Sequence, residues 1–114
     1  MRKLLLLIFT VLILCNVGYA KSLFYEKYKN NSDNINFIEH LKSVESGMSW
    51  MQVHSENEVY CKPSELLINE GNLSNAVKLG AEDLKSRNFS NKEIDDFPVE
   101  LIMLVGLKIL FPCS

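Results

Sequence analysis

The cysteines limit this chain most. Three occur in its 114 residues, at positions 15, 61 and 113. Cys15 lies in the opening stretch MRKLLLLIFTVLILCNVGYA. There Arg2 and Lys3 precede an apolar run from Leu4 to Leu14, interrupted only by Thr10. Gly18-Tyr19-Ala20 then puts small residues at −3 and −1 of a cut before Lys21, which completes the three-part pattern of a secretory leader. The apolar run is about half the ~20 residues a spanning helix needs, so residues 1–20 are expected to be cleaved rather than to anchor the protein. Leu14 is not the small residue that lipoprotein processing uses before a cysteine, so Cys15 leaves with the leader. The mature chain keeps 114 − 20 = 94 residues and two cysteines. In an exported protein these are expected to form one intrachain disulfide, Cys61–Cys113. It closes a loop of 113 − 61 = 52 residues, for which the chain-entropy model gives ~4 kcal/mol. Chain ends ordinarily fray. An ending of Phe111-Pro112-Cys113 reads instead as an anchor.

Without the leader, 10 Lys and Arg face 14 Asp and Glu, a net charge of −4 with histidines neutral. Ninety-four residues make one domain, 21–114, with a modest core. The acidic balance argues against nucleic acid or an anionic membrane as partner and suits a basic protein surface.

Apolar spacing in the mature chain is helical. Phe37, Leu41, Val44, Met48 and Met51, with Ile38 beside them, share one face. Ser32 or Asp33 is placed to cap that helix, and Glu39, Lys42, Glu45 and Gln52 are expected to face water. Gly47 inside it suggests close packing or a kink, and Trp50 lies off the stripe, at a second seam or an interface. His54 to Glu58 breaks the pattern and Pro63 prevents a helix from running through Cys61. Ser64 can start the next helix, with Leu66, Leu67 and Ile68 inward, interrupted or ended at Gly71. Leu73, Val77, Ala81 and Leu84 again share a face. Ser90 and Glu93 have capping-box spacing, and Pro98 suits the first turn of a last helix, about Val99 to Leu110. That helix is apolar nearly all round, with only Glu100 and Lys108 charged. Its surplus of apolar residues implies burial on most sides and a dimer interface. No strand pair is evident. The expected fold is all-α, a small bundle of four to five helices with one disulfide.

The sequence holds little chemistry. His40 and His54 lack metal-ligand spacing and read as solvated. Cys61 is committed to the disulfide, and the carboxylate pairs Asp95-Asp96 and Glu56/Glu58 read as caps or solvated charge. No phosphate loop or nucleophile elbow occurs. A binding protein without enzymatic activity, cofactor or metal is expected.

Tyr60-Cys61-Lys62-Pro63, the apolar helix ending Phe111-Pro112-Cys113, and Gly47 in the preceding helix together carry a resemblance. Over most of residues 33–114 the chain resembles the periplasmic immunity proteins that neutralise peptidoglycan amidase effectors of type VI secretion systems, the Rap/Tai type. The segment Ser74 to Arg87 lacks the tyrosine-rich surface of a binding helix, so no binding face is carried over. The resemblance implies an all-helical homodimer in the periplasm, free of the membrane once the leader is removed. It would sterically cover the Cys–His site of an NlpC/P60-like amidase delivered by sister cells. The competing reading is a small periplasmic chaperone of the acid-stress type. For effector binding, the polar segment Asn88 to Asp96 offers Phe89, Asn91, Lys92, Glu93 and Asp95 on a rigid scaffold. Its alternative is that Ser90, Glu93 and Asp96 only cap helices. Glu56 and Glu58 form the rival site.

Overall fold

A computed structural model describes residues 2–8, 23–55, 57–62 and 69–114. Five helices follow one another from residue 25: α1 Tyr25–Asn30, α2 Ile35–Val53, α3 Glu70–Ser86, α4 Asn91–Asp95 and α5 Val99–Leu110. Residues 2–8 are also helical. Among the described residues no strand forms, and the fold is all-α with a Cys61–Cys113 disulfide. None of the described helices is long and apolar enough to cross a membrane. The expected cleavage point and Cys15 lie outside the described residues, as do Pro63, Ser64, Leu66, Leu67 and Ile68.

The centre of the molecule is the α3–α5 pair, which makes the most extensive contact between helices. Leu73, Val77, Ala81 and Leu84 are buried along α3, as their spacing predicts, and Ala76 and Gly80 are buried with them. On α5 the buried set is Val99, Ile102, Met103, Gly106 and Leu107. The two backbones touch. A Cβ at Gly80 would run into the carbonyl oxygen of Ile102, and one at Gly106 into the carbonyl oxygen of Ala76. Gly47, expected to serve close packing, has nothing within 4 Å of its would-be Cβ. The close approach belongs to two other glycines, each four residues beyond a partner on its own helix, Ala76 and Ile102.

Several ends differ from expectation. Asn34, not Ser32 or Asp33, caps α2, its side chain accepting from the Asn36 N–H at 2.9 Å. Gly71 lies inside the first turn of α3 because Asn69 caps that helix, accepting from Asn72 N–H at 2.9 Å. At the other end of α3, Asn88 adopts φ 71°. Its N–H bonds Lys85 O at 3.0 Å and the Phe89 N–H bonds Leu84 O at 3.2 Å, a Schellman closure in which asparagine takes the left-handed position usual for glycine. Pro98 is the residue before α5 rather than within its first turn.

Helix α1, not anticipated, closes one end of the bundle. Tyr25 N–H bonds Phe97 O at 3.0 Å and Val99 N–H bonds Leu23 O at 2.7 Å, so residues 23–25 lie along the entry to α5. Lys29 on α1 pairs with Asp95 on α4 at 2.6 Å, a hydrogen bond that raises the lysine pKa. Because Val99, Ile102, Met103 and Leu107 are wholly buried, the apolar surplus of α5 shrinks to exposed Leu101 and Ile109 with half-buried Val105 between them.

Candidate functional site

The disulfide end of the bundle holds a strap, residues 59–62, gripped from both sides. On one side stands α2. Gln52 Oε1 accepts from Val59 N–H at 2.7 Å and from Tyr60 N–H at 3.0 Å. One turn and two turns earlier come Ser49 and Glu45. Glu45, expected in water, is 6 % exposed, and its Oε1 accepts from Ser49 Oγ at 2.6 Å and from the Tyr60 hydroxyl at 3.1 Å. Lys62 Nζ lies 3.4 Å from the same oxygen. A buried carboxylate is tolerable only with such compensation. On the other side, Cys61 N–H bonds Phe111 O at 2.7 Å, and the Cys61–Cys113 bridge, with Cα atoms 5.0 Å apart, fastens the strap to the chain beyond α5.

Tyr60 is the keystone, with 2 % of its surface exposed. Burial, and then the neighbouring Glu45 carboxylate, push its hydroxyl pKa up to about 12, against the lowering effect of Ser49. A raised pKa means the protonated phenol is favoured by folding. That stability is fully present below pH ~10 and is lost as pH rises through the folded value. Alkaline unfolding should therefore show a loss of about 2 kcal/mol between pH ~10 and ~12 that Tyr60→Phe lacks. Identical alkaline profiles for the two proteins would remove Tyr60 as the cause.

Beside the strap opens a groove of about 200 Å³, floored by Met48, Met51, Tyr60 and Leu104 and edged by Gln52 and Val59. Of its lining, Met51 is 74 % exposed and Val59 is exposed as well; elsewhere on α2, Trp50 and Val53 are exposed too. Met51 thus leaves the stripe on which its spacing placed it. Trp50 stacks on His54, ring centroids 5.3 Å apart. The histidines are not simply solvated: His40 Nε2 lies 2.6 Å from Glu100 Oε1, joining α2 to α5.

The segment Asn88 to Asp96 is not a long loop. It contains α4, opened by a capping box in which the Ser90 N–H donates to Glu93 Oε2 at 2.7 Å and the Glu93 N–H to Ser90 Oγ at 3.1 Å. Asp95 is held by Lys29, Asp96 ends α4, and Phe89 packs edge-on against Phe97 with centroids 5.5 Å apart. Asn91 and Lys92 are exposed on its surface. Of the rival pair, Glu56 lies outside the described residues. Glu58 is exposed beside the strap, its carboxylate 2.8 Å from the Cys61 sulfur. Glu58, Cys61 and Cys113 cluster as three ligands would, but in the oxidised protein the two sulfurs are bonded to each other and are not thiolates. Glu45 and Gln52, both expected to face water, instead hold the strap through partners far along the chain.

Compared with family models, curated proteins and solved structures, the chain finds no match.

Proposed function

We propose that this is an exported immunity protein that inhibits a peptidoglycan amidase of the Cys–His type by covering its cleft. The observation that carries the reading is the pre-set strap. A backbone segment is fixed by a disulfide, by Gln52 and by the Glu45 cluster, next to an open apolar groove. Such a surface binds with little ordering cost, which favours tight steric inhibition. The leader pattern and the Tyr60-Cys61-Lys62-Pro63 and Phe111-Pro112-Cys113 elements support the type VI amidase immunity class in particular. The stripe Leu101, Val105 and Ile109, flanked by Phe89, is the surface proposed for pairing of two copies.

Within this reading the protein contributes shape, and its histidines have structural partners. The reading expects an NlpC/P60-like amidase gene beside this one, and release of peptide from peptidoglycan by that amidase should fall to background at equimolar protein. Inhibition should be unchanged in the His40→Gln, His54→Gln double variant, whose stability should stay within about 1 kcal/mol of the parent. An uninhibited amidase would sink the reading. Inhibition lost in a folded double variant would reopen an active chemical role.

A further inference from the structure

The disulfide corner carries a third ligand beside its two sulfurs. Glu58, Cys61 and Cys113 each bring a carboxylate oxygen or a sulfur, and these atoms all lie within 4.8 Å of one another. Glu58 Oε2 is 2.8 Å from Cys61 Sγ, and the Glu58 main-chain oxygen is 3.9 Å from Cys113 Sγ. Glu58 and Cys61 are separated by two residues, Val59 and Tyr60. That is the spacing by which one short turn of chain presents two ligands to a single zinc ion. Among the described residues no ion pair engages the Glu58 carboxylate.

The corner does not depend on the S–S bond alone. Gln52 holds the Val59 and Tyr60 amides, the Tyr60 ring is buried, and Cys61 N–H bonds Phe111 O. Opening the bridge would loosen the strap, yet the Cys61 N–H to Phe111 O bond holds Cys61 against Phe111, two residues from Cys113 and within reach of one ion. The two cysteine Cα atoms are 5.0 Å apart, and Cys113 is exposed beyond the end of α5. Two sulfurs bound to one ion each lie ~2.3 Å from it, so an opened bridge has to spread its sulfurs but not its backbone.

We propose that reduction of the Cys61–Cys113 bridge converts this corner into a zinc-binding site. A dithiol reductant delivers two electrons and two protons. The S–S bond breaks, two thiols form, and the reductant leaves as its own disulfide. Zn²⁺ then displaces both thiol protons to solvent. It is bound by the two sulfurs and the Glu58 carboxylate, with water completing the tetrahedron. Two thiolates favour Zn²⁺ over Mg²⁺ or Ca²⁺, which prefer oxygen. The strap thus has two alternative closures, a covalent bond or an ion. This inference holds whether or not the protein inhibits an amidase.

The test compares oxidised and reduced protein, the second opened with a phosphine that does not bind zinc. Titration of Zn²⁺ against a chromogenic chelator should give one ion per reduced chain. The affinity should be at least about 100-fold above that of oxidised protein, or ~2.7 kcal/mol. Co²⁺ in place of Zn²⁺ should show a thiolate-to-metal charge-transfer band and the intense visible bands of tetrahedral cobalt. Glu58→Ala changes only an exposed side chain, and it should weaken zinc by about 10-fold or more. Glu26→Gln, on the exposed face of α1, should not. The Cys61→Ser, Cys113→Ser double variant should bind no tighter than oxidised protein. Zinc should raise the melting midpoint of reduced protein and leave that of oxidised protein unchanged. If reduction melts the fold, zinc should restore the helical circular dichroism, because binding by a site absent from the unfolded chain is folding free energy. The proposal is overturned by any of four results: reduced and oxidised protein binding alike, one ion per two chains, undiminished affinity in Glu58→Ala, or a melted reduced chain that zinc does not refold.

Discussion

Gly106→Ala should unfold this protein or come close to it. The added methyl would overlap the carbonyl oxygen of Ala76 and sit 2.7 Å from its Cα, and these are backbone atoms of a helix that has no side chain to swing aside. Relief requires moving α3 away from α5, and with it the burial of Leu73, Val77, Ile102, Met103 and Leu107. Overpacking in a core costs ~1–3 kcal/mol when side chains can adjust. Here none can, and a loss of about 4 kcal/mol or more is expected. Total stabilities of about 5–15 kcal/mol leave little after that. Gly80→Ala, directed at Ile102 O and 3.1 Å from the Gly106 nitrogen, should behave alike. Gly47→Ala is the contrast. It meets open space in the middle of α2, and relief of the glycine penalty should raise stability by ~0.5–1 kcal/mol. Chemical denaturation of the three variants would expose the error if Gly106→Ala and Gly47→Ala moved the midpoint alike.

The second large effect belongs to the bridge. Cys113→Ser, with Cys61→Ser to avoid a stray thiol, removes a cross-link over a sequence separation of 52, and a loss of ~4 kcal/mol is expected. The loss should be uneven. The α3–α5 contact does not depend on the bridge, whereas the strap retains only its bonds to α2 and the single Cys61 N–H to Phe111 O bond at 2.7 Å. Hydrogen exchange should show the amides of Val59 and Tyr60 losing protection well before those of α3. Uniform loss across the molecule, or none, would contradict a bridge that acts chiefly on the strap.

Helices were legible wherever apolar periodicity alone decides them. Leu73, Val77, Ala81 and Leu84 sit where their spacing puts them, and α5 has the bounds read from Pro98 and the apolar run. Choices among equivalent local signals were not legible. Asn31-Ser32-Asp33-Asn34 offers four residues able to cap α2, and α1 with its turn selects Asn34. Gly71 reads as a stop until Asn69 is seen capping just before it. The strap was hidden for a different reason. Glu45 looks like a solvent residue because its neutralising groups, Tyr60 and Lys62, come 15 and 17 positions later, and only the folded chain brings them together. The glycine contact did leave a trace, in the four-residue steps from Ala76 to Gly80 and from Ile102 to Gly106.

Helix α5 is held at both ends by distant parts of the chain: its entry by the backbone of Leu23 and Tyr25, and the residues beyond it by Cys61. Under the proposed export, this arrangement bears on the order in which the fold can form. A chain threaded through a secretion channel from its N-terminus delivers α5 after every element that α5 holds in place. Until then residues 23–25 have no Phe97 or Val99 to join, α3 has no opposing backbone for Gly80, and Cys61 has no partner sulfur. Early segments can form helical turns but cannot lock, since local helices this short gain most of their stability from tertiary packing. The native state is thus withheld until residues 97–113 arrive, which keeps the polypeptide threadable during transit and confines its completion to the compartment where thiols are oxidised.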